Sequence, residues 1–512
     1  MKKLLLPLVI IFAAACAQRP AAVAPTLEYR NPIISGFHPD PSICRVGEDY
    51  YIVNSSFQYF PGVPVYHSRN LADWEQIGNV LDRESQLPLA QSGSWSGIFA
   101  TTIRYHDGLY YMITTNVTLG KNFFVTAKDP AGPWSEPIYL EQGGIDPSFL
   151  FEDGKCYFVS NPAGIVLCEI DPATGAQLTP SKHIWDGMGG RYPEGPHIYK
   201  IGKWYYLLIS EGGTELAHSL TIARSRSPYG PYDPCPHNPI LTHCNKAAQG
   251  SQIQGTGHGD LVQAADGSWW MVFLGYRRFG GDFHHLGRET FIAPVTWEDG
   301  WPVVNGGKPV TEGTAPRREV LREYAFDSPL GPEWIHIQNP DSSRYTVGGG
   351  RLRIVGASPL SANDHPSFVG IRQESENIEA VVHVSLEDEG NAGFSLYQIQ
   401  DGHAELSLVR RGGKSRAAVH YTLKSIDYEA ASLPVSGTSA WLKITSDGAL
   451  YKFFVSADGS LWQELDALNC QLLSTEVAGG FTGIVLGLYA EGATADFRSF
   501  KYHENSLPSL SQ

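Results

Sequence analysis

Positive charge is scarce in this chain of 512 residues: 38 Lys and Arg stand against 53 Asp and Glu, a net charge of −15. That balance argues against nucleic acid or an anionic membrane surface as a partner, and suits a neutral ligand. Long apolar runs are missing apart from Leu4–Ala15, which follows Lys2-Lys3 and is too short for a comfortable membrane span. Cysteine is sparse: beyond Cys16 there are only residues 44, 156, 168, 235, 244 and 470, with no Cys-x-x-Cys pair and no regular framework. Of these, Cys235 and Cys244 flank a Pro-rich loop and are candidates to pair in an oxidising compartment; otherwise all six read as small buried hydrophobes. No HExxH, Walker loop or Gly-x-Ser-x-Gly elbow is present, and the glycine-rich Gly255–Gly259 stretch has no helix after it to cradle a phosphate. The first 300 residues contain no convincing amphipathic helix.

Residues 1–17 read as an export signal. Ala13-Ala14-Ala15-Cys16 resembles a bacterial lipoprotein box, which would lipidate Cys16, whereas Ala15-Cys16-Ala17 also fits a small-x-small cleavage site. The lipoprotein ending is the expected one. Both routes lead out of the cytoplasm, to the periplasm or a lipid-anchored place in the envelope, and that anchor is the only membrane contact foreseen.

Aromatics are plentiful, at 12% with 12 Trp and 25 Tyr, and they are patterned. Five times a Gly precedes an aromatic pair or near-pair and aliphatics: Gly47 to Val53, Gly108 to Ile113, Gly154 to Val159, Gly202 to Leu207 and Gly267 to Val272. The second aromatics, Tyr51, Tyr111, Tyr157, Tyr205 and Trp270, are spaced by 60, 46, 48 and 65 residues. Short strands and tight turns recurring at that period are the signature of propeller blades. The fold expected is therefore all-β, a five-bladed β-propeller over residues 27–318. Beyond a charged segment near Thr311 to Arg322 the repeat vanishes and alternating strands take over, which reads as a β-sandwich over residues 322–505.

Three carboxylates stand at one offset from the repeat. Asp40, Asp146 and Glu194 each lie eleven residues before an aromatic, Tyr51, Tyr157 and Tyr205. In the other two units Ala100 lies eleven residues before Tyr111 and His258 twelve before Trp270. Because first strands line a propeller's channel, these positions should converge on one axis. Each acid alone would read as a turn residue. Four ionisable groups in core-forming strands would cost several kcal/mol per uncompensated ion, about enough to make accident a poor explanation. Paired carboxylates across a glycosidic bond are the recurring apparatus of glycoside hydrolysis, one protonated and one ionised.

The runs Asn31 to Ser42, Gly144-Ile145-Asp146-Pro147-Ser148, Tyr192-Pro193-Glu194-Gly195-Pro196-His197 and His284-His285-Leu286-Gly287-Arg288-Glu289 resemble glycoside hydrolase family 43. The resemblance implies β-D-xylosidase or α-L-arabinofuranosidase activity with inversion. It implies Asp40 as general base, Glu194 as general acid and Asp146 as the acid that tunes and orients Glu194. Inversion predicts about 6.5–9.5 Å between the Asp40 and Glu194 carboxyls. It further implies sugar contacts from Arg288, His258, Phe60 and Phe99. Phe99 departs from the Trp-Ala-Pro of many relatives. His258 matches a position that in some relatives helps hold a hydrated calcium ion, but the sequence shows no cluster of oxygen ligands around it. No cofactor is required on this reading and calcium stays an option. The expected partner is a neutral pentose-containing oligo- or polysaccharide of plant hemicellulose, cut from its non-reducing end. Arabinofuranoside is the favoured sugar, with xyloside as the alternative. The rival classes are a non-catalytic carbohydrate-binding propeller and a retaining fructosidase.

Overall fold

A computed structural model describes residues 27–504; the export signal and Cys16 lie outside the described residues. The first half consists of five consecutive antiparallel sheets, each built in chain order from the inside outward. Their first strands are β1 (Ser42–Val46), β2 (Ile98–His106), β3 (Ser148–Glu152), β4 (Glu194–Ile201) and β5 (Ile253–Gln263). These pack in a closed ring, β1 on β2, β2 on β3, β3 on β4, β4 on β5 and β5 back on β1. In each sheet the first strand turns into the second at the glycine of the repeat. Those five glycines take φ between 58° and 87°, and four of the five hairpins pair their flanking residues across a two-residue turn. A Cβ added at any of the five would meet nothing within 4 Å. Glycine is there for its backbone alone.

One buried carboxylate holds the ring together. Asp260 on β5 accepts from the Ser42 hydroxyl (2.7 Å), the Ile43 amide (3.1 Å), the Arg104 guanidinium (2.8 Å) and the Tyr199 hydroxyl (2.6 Å). It therefore ties β5 to β1, β2 and β4. Burial pushes its carboxyl up, but Arg104, His197 and these donors overcome that and hold it far below the usual range. Removing it would leave the largely buried Arg104 guanidinium without its carboxylate partner. Asp260→Ala should destabilise the protein by about 3–5 kcal/mol, read as a lower urea midpoint at unchanged slope.

The second half is two stacked sheets. One has eight strands centred on Asn377–Leu386 and Thr494–Glu504; the other has six, Ser367–Arg372 and Val485–Glu491 followed by the four strands from Gly390 to Val435. Period-2 alternation builds the core between them: Ile378, Ala380, Val382, Val384 and Leu386 are buried on one strand and face Phe394, Leu406 and Leu488 across the gap. Val320–Tyr324 already pairs with Thr494–Glu504, so sandwich strands begin before residue 322.

The two halves share a core. Tyr59–Phe60 pairs antiparallel with His336–Ile337, and Phe37, Phe57, Tyr59, Ile335, Phe368 and Tyr397 pack as one cluster. The backbone also meets across the junction, with Ile484 N donating to His285 O at 3.0 Å. A Cβ on Gly483 would stand 2.2 Å from Leu286 O, so that approach requires glycine. Two further findings complete the fold. Cys235 and Cys244 do not pair: all six described cysteines are free, Cys235 buried and Cys244 exposed. Among the described residues the only α-helix is Thr475–Ala478, in the second half.

Candidate active site

The first strands deliver their acids to one cavity. Asp40 and Asp146 each sit two residues ahead of a first strand, and both are left-handed, at φ 52° and 53°. Each precedes a proline, which normally drives the preceding residue to extended backbone. Such strain, repeated at two sites, marks a position kept for its chemistry. Glu194 begins β4, and His258 lies within β5, again left-handed at φ 45°. Asp40, Asp146, Glu194, His258, Arg288 and Phe99 all line a cavity of about 300 Å³, with Ala100 in the remaining position.

The counting that found Glu194 conceals a register change. Tyr51, Tyr111 and Tyr157 pair with Cys44, Arg104 and Leu150, each four residues after the axial position. In the fourth sheet the equivalent hairpin position is Tyr206, paired with Tyr199, and an irregularity between Glu194 and His197 absorbs the extra residue. A β-bulge thus re-aims Glu194 into the cavity.

Asp40 is 5% exposed and fully engaged. One oxygen accepts from Arg288 Nη1 at 2.9 Å and the other from the Ser55 hydroxyl. Burial would raise its carboxyl, but Arg288, His258, the Ser55 hydrogen bond and His218 together hold it below the usual range. Arg288 also donates to Thr214 Oγ1 at 3.1 Å and to the Phe481 carbonyl at 3.4 Å. Asp146 behaves oppositely. Burial first, then the neighbouring Glu194 and Asp40 carboxyls, push it well above the usual range, opposed by the Gly195 amide at 3.2 Å.

His258 is driven down by burial first, against the pull of Asp40 and Glu194. Gly195 lets its ring come close, since a Cβ there would lie 3.0 Å from the imidazole. Among the described residues no group of three or more His, Cys, Asp or Glu is arranged to hold a metal.

One expected wall is misplaced. Phe60 does not line the cavity: its strand pairs with His336–Ile337, which turns it into the packing of the first sheet. Phe57 takes its place, packing against Phe99 with ring centroids 5.1 Å apart. Several functional neighbours carried no sequence signal. Ser55 belongs to Asn54-Ser55-Ser56, formally a glycosylation sequon, yet all three are 0% exposed and Asn54 braces the Asp40 turn through the His38 and Pro39 carbonyls. His218, also 0% exposed, directs Nε2 at Glu194 from 3.6 Å, while its Nδ1 donates to the Gly255 carbonyl. Phe481 reaches the cavity from the second half.

Arg288 gives the site a directional pH test. Without its guanidinium, burial dominates at Asp40 and the carboxyl protonates at higher pH. Arg288→Leu should therefore move the acidic limb of the kcat/KM profile upward, the basic limb staying in place. Loss of the charge-assisted bond, about 1.5–3 kcal/mol, adds a ten- to hundred-fold fall at the optimum.

Comparison with known proteins places these features in a wider set. Residues 29–302 match the family model for Glycosyl hydrolases family 43, and residues 323–503 match the Beta xylosidase C-terminal Concanavalin A-like domain. A non-reducing end α-L-arabinofuranosidase of Bacteroides ovatus is 43% identical over 489 residues, covering 91% of each chain. A xylosidase/arabinosidase of Butyrivibrio fibrisolvens is 41% identical, over 91% of this chain and 96% of its own. Among solved structures, the GH43B protein of a Bacteroides ovatus xyloglucan locus superposes with a TM-score of 0.88 at 41% identity, over 93% of this chain and all of that one. A xylan β-1,4-xylosidase of Bacillus halodurans gives 0.86 at 33% identity, with 93% and 100% covered.

Proposed function

The chain belongs to glycosyl hydrolases family 43 and is a glycosidase, and from that premise we propose that it removes terminal pentoses from hemicellulose side chains or oligosaccharides with inversion. The observation that carries this is the split within one small cavity: an Asp40 carboxyl held down by Arg288 and Ser55, facing a buried Asp146 carboxyl pushed up beside Glu194. In that arrangement Asp40 takes a proton from water, whose oxygen attacks the anomeric carbon. Glu194 gives a proton to the glycosidic oxygen as its bond to that carbon breaks. Asp146, protonated more readily than an ordinary carboxyl, keeps a proton beside Glu194.

The five sheets are the blades of a five-bladed propeller, a reading supported by the closed ring of first strands. A cavity of about 300 Å³, roofed by Phe57, Phe99 and Phe481, suits one terminal sugar better than a chain threading through. α-L-Arabinofuranoside is the favoured sugar, because the arabinofuranosidase relative matches over most of both chains and Phe99 replaces a bulkier wall. The xylosidase relatives keep β-D-xyloside as the second reading. Export through residues 1–17 and lipidation of Cys16 belong to the same proposal; labelled fatty acid incorporated by the parent and not by Cys16→Ser would support the anchor.

Two measurements test the activity. NMR of the first-released sugar should show the inverted anomer, and retention would sink the mechanism. Side-by-side rates on nitrophenyl α-L-arabinofuranoside and β-D-xylopyranoside name the sugar: a ratio above about a hundred is roughly 2.7 kcal/mol of transition-state discrimination.

A further inference from the structure

The glycine-rich stretch Gly255–Gly259 cradles no phosphate, and its glycines serve another end. A Cβ on Gly257 would stand 2.3 Å from the His218 ring. Gly257 is not left-handed, so the missing side chain matters there and not the backbone conformation. On the neighbouring strand Gly195 makes the same kind of room for His258. Two imidazoles are thereby seated near Glu194, each in space that a glycine leaves.

Their surroundings differ. His258 lines the cavity and is open to a bound sugar, whereas His218 is fully buried and does not line it. The Nδ1 of His218 donates to the Gly255 carbonyl, and its Nε2 lies 3.6 Å from Glu194 Oε1, just beyond hydrogen-bond length. Among the described residues that Nε2 has no hydrogen-bond partner, a costly and uncommon state for a buried nitrogen. The other acids of the cavity are committed elsewhere: Asp40 to Arg288 and Ser55, Asp146 to the Gly195 amide and Glu215 to Arg191. Glu194 is what remains for the orphaned nitrogen.

We propose that His218 is the positioning residue of the general acid: with a sugar in the cavity its Nε2–H donates to one oxygen of Glu194 and turns the other towards the glycosidic bond. The inference rests on the glycosidase reading above and gives its acid step a second residue. Hydrogen bonds between catalytic groups are often long before substrate arrives and tighten around it. A carbonyl only accepts, so Nδ1 carries a hydrogen whatever the state of the ring. At Nε2 only an N–H suits the whole step. It meets the carbonyl oxygen of the carboxylic acid beforehand and the carboxylate afterwards, and the bond strengthens as charge develops. In that step the Glu194 O–H bond breaks, an O–H bond forms on the glycosidic oxygen, and the bond from that oxygen to the anomeric carbon breaks. Glu194 is left as a carboxylate facing the ring, and solvent returns its proton before the next turnover. Around the cavity Asp40, Asp146 and Glu215 favour a charged ring, whereas Arg288 and His258 oppose it.

The test uses the full-length enzyme with His218→Phe, which fills the ring's volume without nitrogens, and His218→Gln, whose amide offers an N–H near the place of Nε2. Substrates are a pentose-capped oligosaccharide and the dinitrophenyl pentoside of the sugar the parent prefers. His218→Phe should lose about tenfold or more in kcat on the oligosaccharide, at a KM within about threefold, and less than about threefold on the dinitrophenyl pentoside, which leaves without an acid. His218→Gln should stand within about fivefold of the parent on both. Adding His218→Phe to Glu194→Gln should cost no more than about twofold further, because the two residues act as one unit. Nitrogen NMR with labelled histidine needs no turnover and stands even if His218→Phe does not fold. With the product sugar bound, both ring nitrogens of His218 should carry hydrogen, their signals being assigned by their absence from His218→Gln. Equal losses on both substrates, or a bare Nε2 in the sugar complex, would overturn the proposal and leave the glycosidase reading standing. A parent that cleaved neither substrate would sink that reading, and the role of His218 with it.

Discussion

Asp40→Asn is expected to lower kcat/KM on pentosides by about 10³-fold or more while leaving sugar binding nearly intact. The substitution keeps the shape of the side chain and one oxygen to accept from Arg288 or Ser55, the two donors seen at Asp40. It removes the negative charge that, in the proposed mechanism, takes the water proton. Calorimetry with the product sugar should give a Kd within about tenfold of the parent, since Arg288, the proposed sugar contact, is retained. This pairing of outcomes also separates the enzyme from a binding-only propeller. A binding protein would bind sugar equally in both forms and hydrolyse it in neither.

Glu194→Gln should show a loss that depends on the leaving group. On an oligosaccharide, whose departing alkoxide is a strong base, the loss should reach about 10³-fold; on a dinitrophenyl pentoside, which leaves without help, it should fall to about tenfold or less. Equal losses on both substrates would mean that Glu194 shapes the cavity rather than delivering a proton. His218 bears on the same test. Its Nδ1 donates to the Gly255 carbonyl, which aims its Nε2 at Glu194 from 3.6 Å.

Much of the architecture was legible because it is local. A left-handed turn needs glycine, and the turn glycines recur in register with aromatic strand residues, so the hairpins could be counted from residue types alone. The acids were legible because carboxylates are costly in core-forming strands and stand out there. Arg288 emerged from a run that resembles a family motif, and the cavity includes it.

What could not be read is long-range. Phe60 lost its place to Phe57 because a strand from the second half, His336–Ile337, captures it, and nothing near residue 60 announces that partner. Phe481 reaches the cavity from the second half of the chain, and the Gly483–Leu286 approach that seats it depends on two backbones meeting. Ser55, inside a formal sequon, became a hydrogen-bond donor only through burial. The three acids that open this chain's chemistry show the division most clearly. By itself the sequence determined which residues they are, since strand periodicity and turn chemistry act over a few residues. Only the tertiary structure decided their states, Asp40 held down by Arg288 and Asp146 pushed up by burial, because desolvation and Coulomb forces depend on distances in space between groups far apart along the chain.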